Sequence, residues 1–357
     1  MLIAFDARPL SGKITGIGRY TLELVNAMAS SRPESSWVAL SHEPVNSNLK
    51  FPDNVDYICS NWNFPGDGVL WSQTALPYLI RRLKPDVFWS PRHHLPLLGT
   101  PATVKTVLTI HDTVFVRHPE TMRKTNLLAE KLLFSASLQK AQAITSVSAF
   151  TKSELDQIFG PVSQPIRVVP GAAFSEFENL DWIATPEKFI LAVGTLEPRK
   201  NLERLIAAYQ QLPDEYRNSY QLMIVGVSGW KDRLDRSISF NNIIFTGYVS
   251  DAQLNYLYKR ASLFAFISLY EGFGLPLLEA FRSGTPVITS DESSLPEVAG
   301  DAALLVDPMA VNEITLAITK VLSNPSLAKQ MSEKGYARAA DFDWRKSAEI
   351  MWSVFDM

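Results

Sequence analysis

The sequence predicts two α/β domains in tandem, each built on a mainly parallel sheet. Short apolar runs rich in β-branched and aromatic residues alternate with amphipathic stretches along the whole chain. The alternation breaks once, after Pro170-Gly171, and then restarts. The 357 residues are also too many for one ordinary core, and they suit two domains of about 150–200 residues.

In the first half the runs predict strands at Leu2–Phe5, Trp37–Leu40, Val55–Ile58, Val87–Ser90, Lys105–Ile110, Ala143–Val147 and Ile166–Val169. Helices are expected to begin near Gly18, Trp71, Thr121 and Ala149, the last capped by Ser148. The short acidic segment Ala172–Pro186 reads as a linker. The second half predicts strands at Phe189–Gly194, Gln221–Val225, Ile243–Thr246, Leu263–Ile267, Pro286–Thr289 and Ala303–Val306. Its helices are expected at Asn201–Leu212, Asp251–Ala261, Pro276–Ser283, Asn312–Ser323 and Pro325–Ala340. This division places residues 1–172 in one domain and 173–343 in the other. A last amphipathic helix carries Trp344, Ala348, Met351, Trp352 and Phe355 on one face. It must dock somewhere, and its own spacing does not say on which domain.

Composition narrows the class. Hydrophobic residues are 46% and charged residues 20%, the balance of a folded protein. The single Cys59 excludes an intrachain disulfide framework and any multi-cysteine metal site, and it points to a reducing compartment. Its apolar neighbours make it a small core residue rather than a nucleophile. Met1–Asp6 lacks the features of a signal peptide and reads as a strand, so a cytoplasmic protein is expected. The apolar stretch from Ala261 to Phe281 contains Glu271 and Glu279, which argues against a membrane span. Up to residue 172 there are 17 Lys and Arg against 13 Asp and Glu, and beyond it 17 against 24. That mild basic bias fits an anionic acceptor or membrane surface as well as it fits chance, and it is far from a nucleic-acid binder.

Four motifs fall at strand ends, where doubly wound domains bind ligands in the cleft. Thr15-Gly16-Ile17-Gly18-Arg19-Tyr20 opens a helix whose first amides could meet a phosphate. The dinucleotide fingerprint is incomplete there, which argues against a nicotinamide dehydrogenase. Thr109-Ile110-His111-Asp112 places a histidine at a strand tip, with Asp112 available to orient or charge it. Arg92-His93-His94 should open nearby. Its spacing does not make a convincing metal set. In Gly194-Thr195-Leu196-Glu197-Pro198-Arg199-Lys200-Asn201, two cations at a helix start conflict with the macrodipole unless an anion is close, and a diphosphate would remove the conflict. Finally, Glu271-Gly272-Phe273-Gly274-Leu275-Pro276-Leu277-Leu278-Glu279 puts one carboxylate on a glycine loop and another a turn into a helix. Both could face one cleft and accept hydrogen bonds from sugar hydroxyls.

Together these motifs resemble glycosyltransferase family 4, the retaining enzymes of GT-B fold. The Glu-x7-Glu pattern is matched by Glu271 and Glu279. The likeness also runs through Ser146-Val147-Ser148, Pro198-Arg199-Lys200-Asn201, Gly284-Thr285-Pro286-Val287 and Phe342-Asp343-Trp344, covering essentially the whole chain. It implies two Rossmann-like domains facing each other across a cleft, with the last helix (344–357) crossing back to the N-terminal, acceptor-binding domain. It also implies roles for single residues. Gly16 and Gly18 would lie against the donor phosphate, and His111 would contact the donor sugar near the reacting centre. Arg199 and Lys200 would neutralise the leaving diphosphate. Glu271 would hold the transferred sugar beside the amides of Phe273 and Gly274, Glu279 would bind the ribose, and Leu275 and Val249 would flank the nucleoside and base. Many relatives have Arg where Thr195 stands, which leaves the phosphate to Arg199 and Lys200.

The expected activity is therefore metal-independent transfer of a sugar from a nucleoside diphosphate sugar, with no other cofactor. The Gly194–Asn201 variant looks like that of bacterial polysaccharide mannosyltransferases, which implies GDP-mannose. The implied acceptor is a glycan or an undecaprenyl-diphosphate-linked oligosaccharide of O-antigen type. Met122–Lys140 mixes Lys and Arg with leucines and reads either as an interfacial helix, in peripheral contact with the inner membrane, or as an ordinary buried amphipathic one, the second being favoured. Competing readings are a UDP-sugar donor, a GT-B epimerase releasing an altered nucleotide sugar without an acceptor, and a non-catalytic scaffold. A periplasmic-type binding protein would need an export signal.

Overall fold

The structure is a computed structural model that describes residues 1–12, 14–61, 67–174, 182–227 and 242–357. Of the expected linker, residues 175–181 lie outside the described residues. The chain forms two compact units. The first comprises Met1–Arg117, Lys124–Gly171 and Asp343–Met357, and the second His118–Arg123 with Ala172–Phe342. The short piece His118–Arg123 thus groups with the second unit, although it falls inside the first half of the sequence.

The first unit holds β1 (Leu2–Asp6), β2 (Ser36–Ser41), β3 (Val55–Cys59), β4 (Val87–Ser90), β5 (Lys105–Ile110), β6 (Ala143–Ser146) and β7 (Ile166–Val168). They form one parallel sheet in the order β3-β2-β1-β4-β5-β6-β7. Its helices are α1 (Gly16–Ser31), α2 (Asp67–Gln73), α3 (Ala75–Leu83), α4 (Val114–Arg117), α5 (Lys124–Lys140) and α6 (Ala149–Phe159). Every residue of β4 and β6 is buried, which is why these strands read as unbroken apolar or small-residue runs rather than alternating ones. The helix expected from near Trp71 is two, and the second closes on Lys84 in the left-handed region at φ 49°. Cys59 ends the edge strand β3 and is half-buried rather than a core residue, because an edge strand has a neighbour on one side only.

The second unit holds β8 (Phe189–Val193), β9 (Gln221–Val225), β10 (Ile243–Gly247), β11 (Leu263–Phe266), β12 (Val287–Ser290) and β13 (Leu304–Val306), parallel and ordered β10-β9-β8-β11-β12-β13. Its helices are α7 (Leu202–Gln210), α8 (Asp214–Ser219), α9 (Asp251–Arg260), α10 (Leu275–Arg282), α11 (Leu295–Ala299), α12 (Val311–Leu322) and α13 (Pro325–Ala340). Ile190, Ile224, Ala265 and Ile288 from the strands pack with Leu205, Tyr209, Ile314 and Ile318 in one apolar layer. The short α8 and α11 were not expected, since one and a half turns carry too little periodicity to stand out.

The last helix, α14 (Trp344–Asp356), belongs to the first unit. Its Asp343 cap accepts from the Arg345 amide. Trp352 and Phe355 pack edge-on or tilted against Trp37 at 5.8 and 6.1 Å. Arg32 grips Asp356 through both nitrogens at 3.0 and 2.7 Å and lies over the Trp352 ring. Lys105 Nζ donates to the Val354 carbonyl at 2.7 Å, satisfying the C-terminal end of the helix.

In each sheet the winding direction reverses once, between β1 and β4 in the first and between β8 and β11 in the second. Open α/β sheets bind ligands outside the carboxyl ends of the strands that flank such a reversal. The motif loops at 6–18 and 91–94, and at 194–201 and 267–274, leave these four strands.

Candidate functional site

At the β8/β11 reversal the chain leaves β8 through Gly194 at φ 153° and turns through a single 3₁₀ turn, Pro198–Lys200. Asn201 in the left-handed region hands the chain over to α7. Its buried side chain donates to the Pro308 carbonyl at 2.7 Å, which fixes the turn. Arg199 and Lys200 therefore stand on a rigid turn rather than in a helix. From the other strand comes the loop after β11. Ser293, itself at φ 59°, accepts the Glu271 amide, and Ser294 donates to the carbonyls of Glu271 and Phe273, both at 2.9 Å.

These two loops meet in an ion cluster. Lys200 Nζ donates to Glu271 Oε1 at 2.6 Å, and Arg199 Nη1 donates to Glu271 Oε2 and to the Tyr270 carbonyl, each at 2.8 Å. Arg199 Nη2 reaches Glu197 Oε1 at 2.9 Å. Lys200 Nζ also lies 5.1 Å from the centre of the Phe266 ring. Burial of Glu271 pushes its carboxyl pKa up, but Arg199 and Lys200 outweigh it and hold the group down at about 2. Among the described residues, two cations and two carboxylates make this cluster formally neutral. The conflict between adjacent cations and a helix start therefore does not by itself call for a bound diphosphate. The turn precedes the helix, and the protein supplies its own anions.

Glu279 is buried, not an exposed helix residue, and accepts from the Tyr258 hydroxyl at 3.0 Å. Tyr258 is held in turn through its carbonyl by Thr285. Glu271 and Glu279 thus sit at the two ends of the same loop and helix turn with different partners. Gly274 starts α10 at φ 111°, and a Cβ there would come within 2.9 Å of Leu295. Phe273 is buried edge-on to Phe342 at 5.7 Å, and Leu275 is half-buried. Val249 is buried just beyond β10, beside an exposed Tyr248.

In the first unit α1 begins at Gly16, two residues before the expected start, and Thr15 makes no side-chain cap. The two glycines differ. A Cβ on Gly18 would strike the Pro9 carbonyl oxygen at 2.3 Å, so its bareness serves close packing of loop on helix. Gly16 is exposed with nothing within 4 Å of its Cβ position.

His111 is buried beyond β5 and is held twice by the segment after β4. Its Nε2 lies 2.8 Å from the Pro91 carbonyl, and its backbone N–H donates to His93 Nε2 at 3.1 Å. A carbonyl can only accept, so His111 carries its proton on Nε2 and presents Nδ1 as an acceptor. Burial first, then the neighbouring His93, pushes its pKa down to about 3, so the ring is neutral at ordinary pH. The Tyr20 ring meets it edge-on at 5.1 Å, and Thr151 donates to its carbonyl at 3.3 Å. Asp112, expected to orient His111, instead accepts from the Val114 amide at 3.1 Å in a local turn just before α4.

The structure therefore joins Arg199, Lys200 and Glu271 directly and surrounds His111 with Pro91 and His93. Several residues in these networks gave no signal in the sequence: Glu130, which bridges His93 and His94, Glu197, Tyr258, and the Ser293-Ser294 pair. An isolated glutamate or serine carries no pattern. Glu197 alone lay inside a singled-out motif, where its proximity to the cations could have been weighed. Among the described residues no group of His, Cys, Asp and Glu is arranged to hold a metal ion, and no helix is long and apolar enough to cross a membrane. In α5, Phe134 and Leu138 are buried, whereas Leu128 and Leu132 are 58% and 66% exposed. The helix thus buries part of its surface and leaves two leucines exposed.

Comparison with known proteins bears on both halves. Residues 14–173 match the family profile Glycosyltransferase Family 4, and residues 178–338 match Glycosyl transferases group 1. O-antigen chain mannosyltransferase B of Escherichia coli is 33% identical to the chain over 96% of both. Among solved structures, sucrose-phosphate synthase from Thermosynechococcus elongatus superposes with a TM-score of 0.81 at 20% identity, covering 99% of this chain and 98% of that one. WaaG, a glycosyltransferase involved in lipopolysaccharide biosynthesis, superposes with 0.76 at 14% identity over 98% of each.

Proposed function

The chain belongs to glycosyltransferase family 4, with the GT-B fold, and on that premise we propose that it is a retaining mannosyltransferase. It moves mannose from GDP-mannose to a hydroxyl of a glycan, carried on undecaprenyl diphosphate, during synthesis of an O-antigen type of cell-envelope polysaccharide. The observation that carries the donor half is the Arg199–Lys200–Glu271 cluster at the β8/β11 reversal. Mannose is supported by the similarity to an O-antigen chain mannosyltransferase over nearly the full length.

The residues divide the work as follows. Lys200 uses one of its three N–H donors on Glu271, leaving two for a phosphate oxygen, and Arg199 adds its guanidinium. As the glycosyl–phosphate bond breaks, its electron pair goes to the departing diphosphate, whose new charge these cations stabilise. Fixed charges aimed at developing charge are commonly the largest catalytic contribution. Each Glu271 oxygen binds one cation, and the carboxylate also accepts a sugar hydroxyl. Neutral His111 accepts from another hydroxyl through Nδ1. The acceptor oxygen attacks the same face of the sugar and yields its proton to the departing phosphate, so the anomeric configuration is retained and the product is α-linked. Glu279 holds the ribose by exchanging its Tyr258 partner for ribose hydroxyls, while Leu275 and Val249 flank the nucleoside. The first-turn amides at Gly16 and Gly18 favour an anion, which we take to be a donor phosphate. No metal is required, because Arg199 and Lys200 carry the charge.

The acceptor is brought by the membrane. The exposed Leu128 and Leu132 of α5 share the helix with Lys124 and Lys131, a composition suited to the cytoplasmic surface of an anionic bilayer.

The test is a panel of GDP- and UDP-sugars, with and without lipid-linked acceptor, in the presence of EDTA. GDP-mannose should be consumed fastest, acceptor should speed its use, the product should be the α-anomer by NMR, and EDTA should change nothing. Preference for a UDP-sugar would replace the donor, an epimerised nucleotide sugar without acceptor would replace the reaction, and activity restored by magnesium would overturn metal independence.

A further inference from the structure

We infer that Glu130 is a positioning residue for the His111 turn, acting through the imidazole of His93. The inference rests on the assignment of His111 to the donor site. Glu130 stands on α5 with a half-buried carboxylate. Its Oε1 lies 3.4 Å from His93 Nδ1 and its Oε2 lies 3.0 Å from His94 Nε2. The other nitrogen of His93 accepts the His111 backbone N–H at 3.1 Å. These contacts leave one assignment of protons. His93 Nε2 must present a lone pair, so its proton sits on Nδ1, where Glu130 accepts it. Reversing that tautomer would set His93 Nε2–H against His111 N–H, donor to donor, and leave a buried amide unsatisfied. The carboxylate thus determines whether the His111 backbone has an acceptor.

The same chain of contacts makes the turn sensitive to acid. The groups facing His93 are Glu130 from α5, Asp112 and the His111 ring from the turn after β5, and Arg92 beside it. The Phe134 ring of α5 lies edge-on. Burial opposes a charge on His93, and Arg92 opposes it too. Glu130, aided by Asp112, outweighs both and raises its pKa. As pH falls through that raised value, His93 takes a second proton on Nε2 and the acceptor for His111 is lost. Turnover should fall with it.

The test combines histidine nitrogen NMR with pH profiles for the full chain and for Glu130→Gln and Glu130→Ala. In the unmodified protein above the titration, His93 should be the Nδ1–H tautomer. In Glu130→Gln the charge is gone and an amide oxygen can still accept from Nδ1–H. The His93 titration and the acid limb of kcat should therefore move together to lower pH, with most of the plateau kcat retained. Glu130→Ala should lose kcat about tenfold or more with mixed His93 tautomers. A His93 Nε2–H tautomer in the unmodified protein, or a His93 titration that does not move in Glu130→Gln, would overturn the inference. If that titration moves while the kcat profile stays, the relay stands and His111 leaves the donor site.

Discussion

The stem by which Lys200 Nζ reaches Glu271 Oε1 at 2.6 Å passes closely over Gly194, six residues earlier, which has no side chain. A Cβ on Gly194 would lie 3.1 Å from Lys200 Cε and 3.2 Å from Cδ, in the path of the lysine stem. Gly226 repeats the logic one strand over, since a Cβ there would overlap the Gly194 carbonyl oxygen at 1.9 Å. The bare Gly194 thus leaves room for the lysine stem, and the bare Gly226 lets the backbones that leave β8 and β9 approach closely.

The pairing makes Glu271 both anchor and ligand, and the two roles can be separated. In Glu271→Gln, Arg199 and Lys200 lose their shared counter-charge and become available to an added anion. Free GDP should bind as tightly as before or more tightly by calorimetry, while mannosyl transfer should fall about 100-fold or more, the scale of losing a fixed electrostatic contact in the transition state. Equal losses of GDP affinity and turnover would remove Glu271 from the sugar.

Glu197 offers the opposite experiment. Its carboxylate holds Arg199 Nη2 at 2.9 Å and so occupies the guanidinium that a diphosphate would use. Glu197→Gln removes that competing charge. GDP affinity should rise by up to about tenfold, a modest gain because the pair is partly solvated. A fall in affinity would mean that Glu197 positions Arg199 rather than competing for it.

The sequence carried the elements well and the networks poorly, for a physical reason. Strands such as Lys105–Ile110 and Gln221–Val225, and the Ser148 cap of α6, are written in local patterns and stand where the patterns place them. Family motifs likewise marked Arg199, Lys200 and Glu271. What no local pattern encodes is strand order. Only the reversal between β8 and β11 makes residues 71 and 72 apart in the chain into neighbours, and only then does it emerge that Glu271 neutralises the very cations that had seemed to need a diphosphate. Glu130 and His93 show the same limit. The aspartate adjacent to His111 was the natural partner to expect, yet the contacts come from Pro91 and His93 across the sheet.

His111 also leaves a signature in stability. Its pKa is near 3 in the folded chain against about 6.5 for an unperturbed histidine. Between those values the unfolded state binds the proton and the folded state does not. Stability therefore rises with pH across this window and is lost as pH falls from about 6.5 toward 3. The contribution is at most about 1.4 kcal/mol per pH unit for one proton. Denaturant titrations of His111→Gln and the unmodified protein should differ in slope by up to that amount between pH 4 and 6. The comparison cancels the acid loss of carboxylates such as Glu271, whose depressed pKa costs stability as pH falls from about 4.5 to about 2. Parallel slopes would show that His111 is protonated in the folded chain.

The two glycines that open α1 give the sharpest division between folding and binding. Gly18 packs against backbone, so Gly18→Ala forces the Pro9 loop away from the helix and should lower Tm by several degrees or abolish folding. Gly16 has open space around its Cβ position, and alanine is the better helix former, so Gly16→Ala should leave Tm unchanged or slightly raised. If a donor phosphate approaches the Gly16 backbone, that same methyl group stands in its way. KM for the nucleotide sugar should then rise about tenfold in a protein as stable as the original. A Gly16→Ala variant with unaltered KM and Tm would show that the phosphate does not lie against this turn. The helix would then open on glycine for the chain's sake alone.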